Sequence, residues 1–432
     1  MKAVFVTSTL LALTLAAVAP SQYAPYEDKK VFTVKTTTSN HEKLAIIVKD
    51  LGLTAWDLPE IAGSTASIAV APRQLAAFQK ATKGMDIRLL YASLAGALAA
   101  ERVVLERYQS SNLRTWFMSY HSPAEHLTFL TDLQSQFSQN SKIVDVGPSY
   151  ERRTIKAIHI FGDNSKHKKP PILFLGTIHA REWISTMVVE YIAWMLLKSK
   201  DEAKIKRLLD QYDFYIVPVA NPDGFAYTQE DFTSSMDFPP RFWRKNRQPT
   251  GNPKCIGTDL NRNYPWHWGK GRSSKDPCSD NYQGQAQGYA PEIQSVSQFV
   301  DRISVNGKGK MFVDTHSFGG MFMTPYGYNC TKKPSNHEQQ MKFATKFAEV
   351  VKATHGEIYD AGPMCSVLYE AGGASSDWAY GAKNFEYSFI AELRPTRKRL
   401  GAVPQGFLLP PQQIIPTGEE TWAGILAGMS MM

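Results

Sequence analysis

The stretch Pro171-Ile172-Leu173-Phe174-Leu175-Gly176-Thr177-Ile178-His179-Ala180-Arg181-Glu182-Trp183-Ile184 decides the class of fold. Its opening is an unbroken apolar run, which suits a strand buried on both faces. From about Ile184 to Lys198 the pattern turns helical. The turn between them carries His179 and Glu182 in an H-x-x-E arrangement. An imidazole and a carboxylate at that spacing can reach one cation from one short turn. Two such ligands plus one distant histidine is the pattern of a catalytic zinc site, which keeps a position open for water. Chance produces H-x-x-E often, so its surroundings carry the weight.

Working outward, further strand-like runs alternate with helical segments. Asp213–Val219 is one, followed by a turn at Asn221-Pro222-Asp223-Gly224; Lys310–Asp314 and Tyr387–Ala391 are others. Such alternation predicts a mixed, mostly parallel α/β sheet sandwiched between helices. In such sheets the site lies at the carboxyl ends of the strands. His179, His316 and Glu392 each sit just past a different strand, so three distant segments can converge on one rim. Arg394 is a base that could pair with Glu392, and Thr417 with Glu420 reads as a capping box opening a last helix.

The chain has 432 residues, 43% hydrophobic and 20% charged, which suits a globular protein of one large and one small domain. Residues 1–22, with Lys2 before an apolar core and small residues, read as a secretory signal peptide. No other segment approaches a membrane span. The net charge of +8 comes from dispersed residues, and without a basic stripe no nucleic-acid partner is expected. Residues 23–112 form a separate small α+β module: strands at Val31–Lys35 and Ser67–Val70, a helix over His41–Leu51, and a helical run from Leu89 to Glu106. Arg102, Arg107 and Arg114 lie in and after that run, so the module reads as a propeptide with a connecting helix ahead of a domain over 113–432. The cysteines Cys255, Cys278, Cys330 and Cys365 are even in number, and an exported chain would bond them in one of three pairings. None shows thiolate zinc spacing. The acceptor motif at Asn329 is not expected to be glycosylated, because a bonded Cys330 would restrict its loop.

Six motifs in order carry a resemblance. His179–Ile184, Asn221–Phe225, Trp243-Arg244-Lys245-Asn246-Arg247, Asp259-Leu260-Asn261-Arg262-Asn263, His316-Ser317 and Phe389–Arg394 resemble the zinc metallocarboxypeptidases of the digestive, pancreatic A/B type, and a procarboxypeptidase A in particular. The match runs over roughly residues 115–425, and residues 23–112 resemble that subfamily's activation domain more loosely. The resemblance implies a secreted zymogen that removes C-terminal residues from peptides and proteins. One Zn²⁺ would be held by His179, Glu182 and His316, with Asp259 steadying the first histidine. Glu392 would be the general base and Arg244 would face the developing oxyanion. Asn261 and Arg262 would grip the substrate's terminal carboxylate, Tyr369 would close over it, and Arg181 would line a subsite. The cysteines would pair Cys255–Cys278 and Cys330–Cys365.

The resemblance places Ser376 at the floor of the side-chain pocket, where basic-residue relatives carry an aspartate and others an apolar side chain. Asp377, next to it, is common to both types. Met323, Met364, Leu368 and Ile390 map to the walls, which implies aromatic or aliphatic C-terminal residues, since a buried cation would lack a counter-charge. Phe318 stands where many relatives have tyrosine. The alternatives are a basic-residue (B-type) carboxypeptidase, a catalytically inactive peptide-binding relative, and a small-substrate amidohydrolase. The expected partners are peptide C-termini, the chain's own prosegment as inhibitor, and a trypsin-like protease cutting after Arg107 or Arg114. A monomer, acting in digestion by default, completes the expectation.

Overall fold

The computed structural model describes residues 26, 28–55, 65–162, 168–231, 239–396 and 406–432. The signal peptide expected over 1–22 lies outside them. Among the described residues, no helix is long and apolar enough to cross a membrane.

The N-terminal part folds as a four-stranded antiparallel sheet. Its strands are β1 (Lys30–Lys35), β2 (Thr54–Ala55), β3 (Thr65–Val70) and β4 (Ile87–Tyr91), in the order β2-β3-β1-β4. Helices His41–Asp50 and Pro72–Ala81 close one face over Phe32, Val34, Leu44, Ile68, Val70 and Phe78. The helical run expected from Leu89 to Glu106 is shorter. Leu90 and Tyr91 are buried in β4 against β1, so sheet pairing overrides the helical propensity of the leucines. The helix spans only Leu94–Glu101, capped by Ser93, whose Oγ accepts from the Gly96 N–H.

The large sheet has eight strands: β5 (Ser141–Pro148), β6 (Thr154–Ile160), β7 (Pro171–Gly176), β8 (Asp213–Val217), β9 (Gly309–Ser317), β10 (Met321–Thr324), β11 (Asp360–Pro363) and β12 (Phe385–Leu393). Their order is β11-β10-β12-β9-β7-β8-β6-β5. The central strands β12, β9, β7 and β8 run parallel, while β10 and the β6–β5 pair are antiparallel to their inner neighbours. The sheet is therefore mixed with a parallel centre, as expected. Alternation along β7 explains its unbroken apolar run. Ile172 and Phe174 enter one core with the helices Trp183–Lys198, His337–His355 and Ile414–Met429; Leu173 and Leu175 enter the other with helix Pro291–Ile303.

Three local expectations fail. The last helix begins at Ile414, so Thr417 lies inside it and donates to the Gln413 carbonyl instead of capping. Glu420 is buried and takes the Arg394 guanidinium, which removes Arg394 as the partner proposed for Glu392. The turn expected at Asn221–Gly224 is a short helix, Pro222–Tyr227, capped by the Asn221 side chain on the Gly224 N–H.

Candidate active site

Strand order alone gathers the three distant residues. β7, β9 and β12 are neighbours, and all end at the same rim. In the β9–β12 ladder His316 stands directly opposite Glu392, so their side chains leave the sheet on the same face. β7 ends with Gly176 level with Thr315, and the chain then turns through Thr177 (φ +50°) to His179. A Cβ at Gly176 would lie 2.6 Å from the Pro218 carbonyl, so only glycine lets this turn sit so close to the next strand's exit.

His179, Glu182 and His316 come together. His179 Nδ1 is 2.9 Å from Glu182 Oε1; His316 Nδ1 is 3.0 Å from Glu182 Oε2 and 3.0 Å from His179 Nδ1. One donor atom from each lies within 4.8 Å of the others, and all three side chains are buried. Burial would raise the Glu182 carboxyl, but the charges and hydrogen bonds of His179 and His316 hold it well below the usual carboxylate range. Each imidazole is backed on its far nitrogen by a carboxylate: His179 Nε2 is 3.1 Å from Asp259 Oδ1, and His316 Nε2 is 3.0 Å from Asp314 Oδ2. Two imidazoles and a carboxylate facing one point, each histidine oriented by a second carboxylate, is a donor set that fits a zinc ion.

Asp259 was expected in this place; Asp314 was not. Its signal is present in Asp314-Thr315-His316, because residues two apart on a strand share a face. Ser375 Oγ donates to the same Asp314 oxygen at 2.5 Å.

Arg244 sits at the edge of this cluster. Its Nη2 and Nε donate to Asp259 Oδ2 at 2.9 and 3.2 Å, and its Nη1 lies 3.1 Å from His179 Nδ1. The surrounding arginine-rich loop is packed, with Arg247 stacked over Tyr227 at 3.7 Å and Lys245 donating to the Pro277 carbonyl. Burial pulls Lys245 down to about 8.

A second group lies beside it. Asp259 starts a tight turn, Leu260–Arg262, through its Oδ1 on the Asn261 N–H. Asn261 Nδ2 lies 3.2 Å from His316 Nε2, so the turn that carries Asn261 and Arg262 adjoins the His179–Glu182–His316 group. Arg262, 1% exposed, donates from Nη2 to the Tyr369 hydroxyl at 3.0 Å. Met321, Met323, Met364, Ala371, Ala374 and Ile390 form one apolar cluster, with Leu368 and Tyr369 against it. Ser376 is buried at the start of helix Ser375–Gly381, and its Oγ has no hydrogen-bond partner among the described residues. Asp377 turns to the Gly327 and Tyr328 N–H groups, and burial still pushes it up to about 7.

Arg181, between His179 and Glu182 in the chain, contacts the loops that carry Phe242 and Phe407. It donates to the Phe242 carbonyl and to Asp280 and lies 4.4 Å from the centre of the Phe407 ring. Phe242, Phe407, Leu408 and Phe318 join Leu90, Leu94 and Leu98 of the N-terminal module in one apolar cluster. The module is therefore seated beside Arg181. The disulfides Cys255–Cys278 and Cys330–Cys365 form as the resemblance implied, with Cα atoms 4.9 and 5.2 Å apart.

The profile of the zinc carboxypeptidases matches residues 126–424. A probable metallocarboxypeptidase A of the fungus Arthroderma benhamiae is 43% identical over 418 residues, 96% of this chain and 95% of that protein. Carboxypeptidase A from Helicoverpa armigera superposes with a TM-score of 0.76 at 28% identity, over 94% of this chain and 98% of that one. Thrombin-activatable fibrinolysis inhibitor superposes with a TM-score of 0.81 at 25% identity, over 93% of this chain and 98% of that one. The chain thus belongs to the zinc carboxypeptidase family and is an enzyme of the metallocarboxypeptidase type.

Proposed function

We propose that this chain is the secreted zymogen of a zinc carboxypeptidase that hydrolyses the last peptide bond of proteins and peptides, preferring aromatic or aliphatic C-terminal residues. The observation that carries this reading is the adjacency of two sites: the His179–Glu182–His316 cluster and the buried Arg262 share Asn261 as a common wall.

His179, Glu182 and His316 would hold the zinc ion, which supplies an acidified water and polarises the scissile carbonyl. Glu392 takes a proton from the attacking water and hands it to the leaving nitrogen as the carbon–nitrogen bond breaks. Arg244, held by Asp259, presents Nη1 toward the oxygen on which negative charge develops. Arg262 and Asn261 bind the free carboxylate, and Tyr369 covers it. A buried guanidinium at the end of a pocket rejects mid-chain segments, which offer no carboxylate to satisfy it. The methionine-lined wall and the uncharged Ser376 give a cationic side chain no counter-charge, while Asp377 is occupied by backbone N–H groups.

Residues 23–112 act as the prosegment. Their apolar cluster is continuous with Phe242 and Phe407 beside Arg181, and Glu101 grips Arg241 of the same loop that carries Arg244. A trypsin-like protease would release it. Arg107 is exposed, with exposed Val103, Val104 and Leu105 before it; Arg114 is exposed too but stands between buried Leu113 and Thr115 in a helical turn. Cleavage after Arg107 is therefore favoured.

The testing experiment treats the exported protein with trypsin and assays peptides ending in Phe, Leu, Lys or Arg, each also as its C-terminal amide, with and without chelator. Release of Phe and Leu, silence on every amide, and loss with chelator are expected. Faster release of Lys or Arg would overturn the side-chain preference, and cleavage of the amides would overturn the carboxypeptidase reading.

A further inference from the structure

A second arginine, Arg272, faces the carboxylate site from a segment that none of the motifs above includes. Residues 270–273 cross over residues 369–372, which carry Tyr369. The Arg272 N–H donates to the Glu370 carbonyl at 2.7 Å, the Gly372 N–H donates to the Lys270 carbonyl at 2.9 Å, and Gly271 pairs with Ala371 in an isolated bridge. The crossing is close enough that a Cβ at Gly271 would lie 2.2 Å from the Glu370 carbonyl oxygen. The two segments therefore hold a fixed separation.

Arg272 then touches both halves of the site. Its carbonyl accepts from Arg262 Nε at 2.8 Å, which fixes the plane of that guanidinium. Its own guanidinium carbon lies 4.2 Å from the centre of the Tyr369 ring, within the range of a cation–π contact. The Arg262 guanidinium carbon is 5.6 Å from the same centre, and its Nη2 meets the Tyr369 hydroxyl. One residue thus sets the direction of the anchoring fork and the place of the phenol beside it.

We propose that Arg272 is a positioning residue for the terminal-carboxylate site: it orients Arg262 through its carbonyl and holds Tyr369 against Arg262 through its side chain. The proposal rests on the reading of Arg262 as the carboxylate anchor. A half-buried tyrosine without this contact spreads over other rotamers, and each substrate must then pay to gather it. Preorganisation of this kind changes binding of the carboxylate and leaves proton transfer at Glu392 untouched.

The test compares the trypsin-treated wild type with R272Q, R272K, Y369A and the R272Q/Y369A double variant. Calorimetry gives the Kd of N-acetyl-phenylalanine and of its amide, and peptide hydrolysis gives kcat and KM. The R272Q variant should bind the acid about tenfold more weakly, raise KM by a similar factor, and keep kcat within about twofold, the size expected of a partly desolvated cation–π contact. R272K, which keeps the charge and loses the flat stacking face, should fall between. In the Y369A background R272Q should change the Kd less than about twofold, because the ring it acts on is gone. Equal binding by wild type and R272Q would overturn the role of Arg272 alone. An undiminished tenfold effect in Y369A would also overturn it, since Arg272 would then act on the carboxylate directly. A wild type that does not prefer the acid to the amide would overturn the reading of Arg262 beneath it.

Discussion

The contact between the N-terminal module and the large sheet domain yields a quantitative test at Glu101. Glu101, the last residue of its helix, is fully buried, and Arg241 is 3% exposed. The pair is bidentate, Arg241 Nε to Oε2 at 2.7 Å and Nη2 to Oε1 at 2.5 Å. The guanidinium is also stacked 3.9 Å above Trp183 and donates to the Arg181 and Phe407 carbonyls. Glu101→Ala leaves that charge with carbonyl partners only, and removing one member of a buried pair costs about 3–5 kcal/mol. Water can enter the space of the lost side chain, so the lower value applies. About 3 kcal/mol corresponds to roughly a 150-fold shift toward the undocked module. Uncut E101A protein should hydrolyse a short peptide ending in Phe at least about tenfold faster than uncut wild type. After protease treatment and removal of the module, the two should be equal, because Glu101 is gone from both. Uncut E101A that stays as silent as uncut wild type, with full activity after cleavage, would refute the reasoning that this ion pair holds the module over the cleft.

Three other outcomes follow from the site and its supports. Glu392→Gln should lower kcat by about 10²–10⁴ while bound zinc, measured by elemental analysis, stays at the wild-type level; loss of the metal instead would make Glu392 a ligand. Asp314→Asn should weaken zinc affinity by about 10–100-fold in a competition titration with a chelator, and unchanged affinity would mean that the His316 ring is held by other contacts. His121 is stacked 3.4 Å from Trp116, and burial pulls its imidazole down to about 4 from an ordinary 6.5. Its neutral form is therefore favoured in the fold, so its contribution is complete above pH 6.5 and is lost as pH falls toward 4; His121→Asn should remove on the order of 2 kcal/mol from the difference in urea stability between pH 7 and pH 4.5, and an unchanged difference would exclude His121 as its source.

Much of this architecture was legible in the sequence because the informative pieces are local. An apolar run with no polar interruption, followed at once by an H-x-x-E turn and a helix, fixed β7 and the entrance to helix Trp183–Lys198. Of the large sheet's strands, β5, β6, β10 and β11 escaped notice: β5 and β11 are its edges, β10 and β11 are only four residues long, and β5 and β6 have partly exposed faces, so their patterns are mixed and weak. Leu89–Tyr91 reads as helix by composition and becomes strand only because β1 offers it hydrogen bonds. Thr417 and Glu420 have the spacing of a cap, but Arg394 lies close enough to claim the glutamate, and the helix starts a turn earlier. Arg272 was invisible for a similar reason. Its importance comes from a crossing of two loops, tied by Gly271 and Ala371, that no periodicity announces.

The same geometry argues that selection for a free C-terminus outweighs selection among side chains. The proposed pocket wall is a set of flexible methionines and small alanines, and an apolar surface of this sort separates substrates by only a few kcal/mol per group gained or lost. Arg262 is different. It is buried, its Nε and Nη1 are already committed to the Arg272 and Asn261 carbonyls, and its Nη2 points to the Tyr369 hydroxyl. A substrate without a terminal carboxylate would seal that charge from water with no anion to meet it, a penalty larger than any mismatch against methionine. The enzyme should therefore tolerate changes in the last side chain far better than amidation of the last carboxyl group.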